Sequence, residues 1–160
     1  MYKDHLYSGT SKIGEAGVFT KTVIPAGVPI LEFRGDLFTR DTMKHDLNRV
    51  IQIGTDAFLG PSGDLDDYIN HSCNPNCGVK IVGRRTILFS LYVIPADTEL
   101  TFDYSTTSTD TPEQWSMDCK CSDFNCRKTI TGFHHLDDKT KQDYIKKGMI
   151  PMFLTSTIFR

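Results

Sequence analysis

The sequence predicts a mainly β domain with few short helices, and three features carry that prediction. Short runs of β-branched and aromatic residues, interrupted by proline and glycine turns, fill most of the first hundred residues. Only one stretch, near the C-terminus, shows a full set of helix boundary signals. A tight cysteine cluster between residues 119 and 126 points to a metal that staples the chain.

The elements follow in order. Residues 18 to 38 alternate apolar and polar side chains around Pro25-Ala26-Gly27, which reads as short strands joined by a turn. Residues 39 to 68 contain one weakly helical stretch and the loop Gly60-Pro61-Ser62-Gly63, and read as a surface insertion. The Val-Ile-Pro-Ala turn of residues 23 to 26 returns at 93 to 96 before another strand-like run. A single echo does not make a solenoid, so it is read as reuse of one local turn. Residues 105 to 117 are polar and turn-rich, and a mobile connection is expected there. Asp137 and Asp138, lysines in the last turn and Gly148 at the stop then bound one short helix. The tail beyond it carries Ile150, Met152, Phe153, Leu154, Ile158 and Phe159; fold-back onto the domain is expected, with a homodimer contact as the alternative.

Composition narrows the function. A chain of 160 residues, 39% apolar and 24% charged, fits one globular domain able to bury a core without disulfides. A net charge of −2 provides no basic field for sequence-independent capture of nucleic acid, which argues against a zinc-ribbon nucleic-acid binder. The first ten residues lack an apolar core and the longest apolar run, 86 to 94, is too short to span a bilayer, so a soluble intracellular protein with no membrane partner is expected. The cysteines are odd in number and clustered, which suits metal ligation in a reducing compartment better than a disulfide framework.

Cys119, Cys121 and Cys126 form a Cys-x-Cys-x4-Cys pattern that brings three thiolates together, whereas structural zinc takes four tetrahedral ligands. Cys73, Cys77, His134 and His135 are the chemically qualified candidates for the fourth.

Three separated segments, "NHSCNPNC" at 70 to 77, "ELTFDY" at 99 to 104 and "CKCSDFNCRK" at 119 to 128, resemble in order and approximate spacing the SET-domain protein lysine methyltransferases with a post-SET zinc motif. The segment "SKIGEAGVFT" at 11 to 20 is similar to that family's cofactor loop and first strand. The resemblance implies a SET domain over residues 11–110, a post-SET zinc segment over 111–133 and a C-terminal extension over 134–160. It also implies small β-sheets with a knot-like crossing of the 70–73 and 99–104 segments, which departs from the usual unthreaded topology.

The same resemblance assigns roles. Cys73 becomes the fourth ligand of one structural zinc beside Cys119, Cys121 and Cys126, leaving Cys77 a free thiol. S-adenosylmethionine becomes the methyl donor, held by Gly14, Glu15, Ala16, Gly17, Asn70, His71, Tyr104 and Phe133. Tyr104 is the expected catalytic residue; its hydroxyl orients the amine, and with Phe102 it walls the lysine channel. Asn70 suits the polar end of the cofactor, while His71 acts through its backbone and its packing rather than as a base. Asp103 is a structural acceptor. Glu15 stands where the family shows the first glycine of a Gly-x-Gly loop, and Gly14 can substitute by a one-residue shift. Ser122 replaces a glycine common after the second post-SET cysteine. Phe133 either stacks on the cofactor, lines the channel or is plain core. Phe102, where a tyrosine would restrict the product, implies methylation beyond the first step. The implied partner is a protein substrate with a target lysine, a histone or nucleosome, and hence a nuclear location. A catalytically silent, zinc-stapled interaction module is the competing class.

Overall fold

A computed structural model describes residues 1–155. Its strands are short, as the frequent turns require: β1 (Leu6–Thr10), β2 (Ala16–Thr20), β3 (Pro29–Phe33), β4 (Leu37–Phe38), β5 (Ile51–Gly54) and β6 (Ala57–Leu59). They continue as β7 (Asn70–His71), β8 (Cys77–Val82), β9 (Arg85–Ser90), β10 (Thr101–Phe102), β11 (Met117–Asp118) and β12 (Thr129–Ile130), followed by helices α1 (Asp138–Lys146) and α2 (Met152–Thr155). The mainly β architecture with few short helices is therefore as expected. No helix among the described residues is long and apolar enough to cross a membrane.

The central sheet has the order β3-β9-β8, all antiparallel, and β1 and β2 form a separate hairpin. Alternation along these strands buries Ile30, Leu31, Val79 and Leu88 in one apolar core with Val18, Ile24, Ile94, Leu100 and Phe102. The two Val-Ile-Pro-Ala turns are more than local echoes. Ile24 and Ile94 pair with each other, each amide donating to the other's carbonyl at 2.9 Å. The left-handed position after each turn is Gly27 (φ 76°) in one copy and Asp97 (φ 58°) in the other.

The crossing rests on β7 and β10, which run parallel with Asn70 opposite Thr101 and His71 opposite Phe102. Asn76 fastens it: its amide nitrogen donates to the Glu99 carbonyl at 2.7 Å and its oxygen accepts the Thr101 amide at 2.9 Å.

The 39–68 region departs from its expected form. It contains no α-helix; Leu47–Arg49 and Leu65–Tyr68 are 3-10 turns, and β5 and β6 join the preceding β4 in the sheet β4-β6-β5. Burial of Ile51, Phe58 and Leu59 on that sheet outweighs the weak helical pattern. The polar connection that follows Tyr104 is anchored as well. Gln52 accepts the Thr109 amide at 2.8 Å, Arg40 pairs with Asp110, and the Trp115 indole donates to Asn48 at 2.8 Å. Its polar groups find partners on the insertion, which composition alone does not reveal.

Helix α1 begins where the caps place it, Asp137 accepting the Thr140 amide at 3.0 Å, and ends before Gly148 at φ 64°. The tail folds back: Met149 and Leu154 are buried with Phe133, Leu136 and Tyr144, and Ile150 and Phe153 pack beside them. Met152 stays exposed, α2 is a helix the sequence signals did not mark, and Ile158 and Phe159 lie outside the described residues.

Candidate active site and metal centre

Strands β11 and β12 pair at the base of the cysteine loop, and the Cys119 amide donates to the Lys128 carbonyl at 2.7 Å, closing it. The sulfurs of Cys73, Cys119, Cys121 and Cys126 all lie within 4.8 Å of one another. The Cys73 and Cys119 sulfurs are 3.7 Å apart, against about 3.8 Å for the edge of a tetrahedron with zinc–sulfur bonds of about 2.3 Å. The amides of Arg127 and Lys128 point at the sulfurs of Cys73 and Cys126, both at 3.4 Å, as thiolate ligands require of their surroundings. Four thiols in this arrangement fit one structural zinc ion. Cys77 is remote from the cluster in strand β8, fully buried, its thiol donating to Asn76. Burial pushes that thiol well above its usual range. Cys73 is thus the fourth member of the cluster, and Cys77 stays a free thiol.

The crossing brings His71 against the chain 33 residues later. Its Nδ1 accepts the Tyr104 amide at 3.1 Å, and its Nε2 lies 3.3 Å from the Cys73 sulfur. Burial lowers the imidazole to about 4, Asp103 opposing and Arg127 assisting, so the ring is neutral at pH 7. A neutral ring that accepts at Nδ1 carries its proton on Nε2, directed at the sulfur. His71 therefore ties Tyr104 to the metal ligand and is no candidate base.

Tyr104 donates its hydroxyl to the Ile69 carbonyl at 2.8 Å. Burial, then the charge of Glu99, raises this phenol above its usual range, so it stays protonated. Its ring lies 4.9 Å from Phe102, which makes an edge contact with Phe33 at 5.7 Å. These aromatics, with Ile51, Phe58 and Ile69, line an open cleft that also carries Arg34, Arg49, Asp66, Asp67 and Trp115. An apolar wall with one protonated hydroxyl suits a long aliphatic side chain ending in an amine.

Gly14, Glu15, Ala16 and Gly17 gather around Asn70 rather than on the cleft. The Asn70 amide nitrogen donates to the Ala16 carbonyl at 2.8 Å and to Glu99 at 2.7 Å, and Ser11 donates to the same Glu99 carboxylate at 2.8 Å. A Cβ on Gly17 would sit 2.2 Å from Glu99 Oε1 and one on Gly14 would sit 2.8 Å from Asn70 Oδ1, so a side chain at either position would displace the Asn70–Glu99 pair. Glu15 is exposed. The Asn70 side-chain oxygen accepts no hydrogen bond among the described residues, leaving an acceptor suited to an ammonium group.

Phe133 stands apart from both groups. It is fully buried in the second apolar cluster with Leu136, Tyr144 and Met149, and the structure gives it the core role. Asp103, with no exposed surface, is the structural acceptor expected: it caps the 3-10 turn Tyr104–Thr107 by accepting the Ser105 amide at 3.0 Å. Burial alone would raise its carboxyl, yet His71, the Arg127 ion pair and the Tyr144 hydroxyl hold it below the usual range. Sequence reasoning passed over Glu99, Asn76, Arg127 and Tyr144. Glu99, Asn76 and Arg127 each lie inside a quoted motif segment, whereas Tyr144 lies in none.

Residues 15–105 match the SET domain family. The chain is 33% identical over 144 residues to histone-lysine N-methyltransferase trr of Drosophila melanogaster, covering 79% of this chain and 6% of that protein. It is 28% identical to the H3 lysine-4-specific histone-lysine N-methyltransferase of Mycosarcoma maydis, covering 80% and 10%. Among solved structures, KRYPTONITE in complex with mCHG DNA and SAH superposes with a TM-score of 0.66 at 27% identity, covering 78% of this chain and 28% of that one. KRYPTONITE in complex with mCHH DNA, an H3(1-15) peptide and SAH gives 0.63 at 26%, covering 78% and 29%. The chain spans a tenth or less of the two curated relatives.

Proposed function

Because the chain belongs to the SET-domain family, we propose that it is an S-adenosylmethionine-dependent protein-lysine N-methyltransferase acting on histone tails in the nucleus. The observation that carries the reading is Tyr104: a protonated hydroxyl, aimed by its bond to the Ile69 carbonyl, at the aromatic wall of an open cleft. The SAH present in the KRYPTONITE complexes is the demethylated product of this donor, and one of those complexes holds an H3 peptide; both support the assignment.

S-adenosylmethionine, when bound, supplies the electrophilic methyl group for an in-line displacement. The chain's own residues align and desolvate. Asn70 Oδ1, which has no donor among the described residues, would accept from the donor's ammonium group, with the Gly14–Gly17 loop beside it. Phe102 and Tyr104 exclude water from the target side chain. A lysine titrates near 10.4, so presenting it neutral at pH 7 costs roughly 4.6 kcal/mol, a cost the apolar wall and the nearby sulfonium charge reduce without a general base. The Tyr104 oxygen, its proton committed to Ile69, keeps lone pairs free to accept from the amine N–H and so orient it.

The test is mass spectrometry of core histones and nucleosomes incubated with S-adenosylmethionine and either the wild-type chain or Tyr104→Phe. Whole-methyl mass shifts that vanish in the variant are expected. Cofactor binding without turnover on any lysine-bearing substrate would favour the silent zinc-stapled module instead.

A further inference from the structure

The C-terminal helix reaches the turn that carries Tyr104 through the hydroxyl of Tyr144. Tyr144 lies on α1, only 4% exposed, its ring packed among Phe133, Leu136 and Met149. Its hydroxyl donates to Asp103 Oδ2 at 2.7 Å and lies 3.5 Å from the Cys73 carbonyl. Asp103 is the residue immediately before Tyr104. Its two oxygens take both arms of the Arg127 guanidinium, each at 2.8 Å, and Oδ1 also accepts the Ser105 amide. One buried carboxylate thus gathers the C-terminal helix, the residue following the last cysteine ligand and the turn that carries Tyr104.

We propose that Tyr144 is a positioning residue for Tyr104, so that helix α1 belongs to the catalytic apparatus. In calling Tyr104 catalytic, this rests on the methyl-transfer reading. A carboxylate with an open lone pair can still tilt about the Arg127 pair, whereas one whose oxygens each take two donors is held in one orientation. Arg127 contacts both oxygens, Ser105 adds the second donor to Oδ1, and Tyr144 adds the second donor to Oδ2. The backbone of the Tyr104–Thr107 turn is then aimed from two sides: by Asp103 at the Ser105 amide and by His71 at the Tyr104 amide. A displacement of about 1 Å at an aligning group is costly in reactions that depend on geometry. The helix is held in place by apolar packing that makes no contact with the cleft, so the hydroxyl is its specific contribution to the site.

The experiment is amide hydrogen exchange on the zinc-loaded full chain, wild type against Tyr144→Phe, which keeps the ring and removes only the oxygen. The amides of Tyr104 and Ser105 should exchange about tenfold faster or more, while those of Val79 and Leu88 in the central sheet keep their wild-type protection. In turnover, kcat should fall about tenfold with KM for donor and peptide unchanged. Asp103→Asn combined with Tyr144→Phe should cost less than the two changes separately, because both act on one carboxylate. Unchanged exchange at Tyr104 and Ser105, acceleration shared by every amide, or loss of the fold would each overturn the proposal. Exchange is read without any substrate, so failure here and failure of the methyl-transfer reading are distinguishable.

Discussion

The Tyr104 hydroxyl donates to the carbonyl of Ile69, the residue just before Asn70, at 2.8 Å, although the two are 35 residues apart. This bond sets where the phenol oxygen stands and which lone pairs remain for a substrate. In Tyr104→Phe the Ile69 carbonyl loses its donor, and the unfolding free energy should drop by about 1 kcal/mol. Methyl transfer should fall by roughly a hundredfold or more, as when one oriented polar group is removed from a site. Denaturant titration and mass-spectrometric assay read the two losses separately.

Zinc should be inseparable from the order of the C-terminal third. Binding at four-thiolate sites releases on the order of 10 kcal/mol or more, so chelation should strip protection from residues 117–130 and loosen Arg127 from Asp103. Metal analysis should find one zinc per chain in wild type and in Cys77→Ser, and none retained by Cys73→Ser. Loss of zinc from Cys77→Ser would assign the fourth ligand differently.

Ser122, within the cysteine loop, adopts φ 56°, a conformation that disfavours a side chain. Ser122→Gly should therefore stabilise the zinc-loaded protein by about 1 kcal/mol, since the left-handed penalty disappears. Thermal unfolding at saturating zinc measures it.

The Asp103 carboxyl is depressed below its ordinary value of 3.8 in the folded chain. Its contribution to stability is thus fully present above the unfolded value and disappears as pH falls through the lower, folded one. The unfolding temperature should decline as pH drops below about 4. Asp103→Asn should be less stable at neutral pH yet show a shallower acid decline. Zinc content measured at each pH separates this limb from acid release of the metal.

Phe102 packs 4.9 Å from the Tyr104 ring at the cleft wall. Adding a hydroxyl there narrows the space beside the amine, so Phe102→Tyr should shift products towards monomethyl-lysine while wild type proceeds further. Product ratios at long times and excess donor decide it.

What the sequence determined by itself is what side-chain chemistry and short spacing encode. The Cys-x-Cys-x4-Cys run implied a zinc site because thiolates are good ligands wherever they fold together. The alternations around Pro25-Ala26-Gly27 implied short strands because period two buries one face. The caps at Asp137 and Gly148 marked α1 because helix ends need partners within a few residues. That Cys73 joins the cluster was implied by the resemblance and seen in the structure, but only the tertiary structure decided that Ile24 pairs with Ile94 and that the polar stretch after Tyr104 is pinned by Gln52, Arg40 and Asn48. It also placed Tyr144 on Asp103 across 41 residues. No local period or spacing constrains such pairs, because their partners lie tens of residues apart and meet only once the strands and turns have packed.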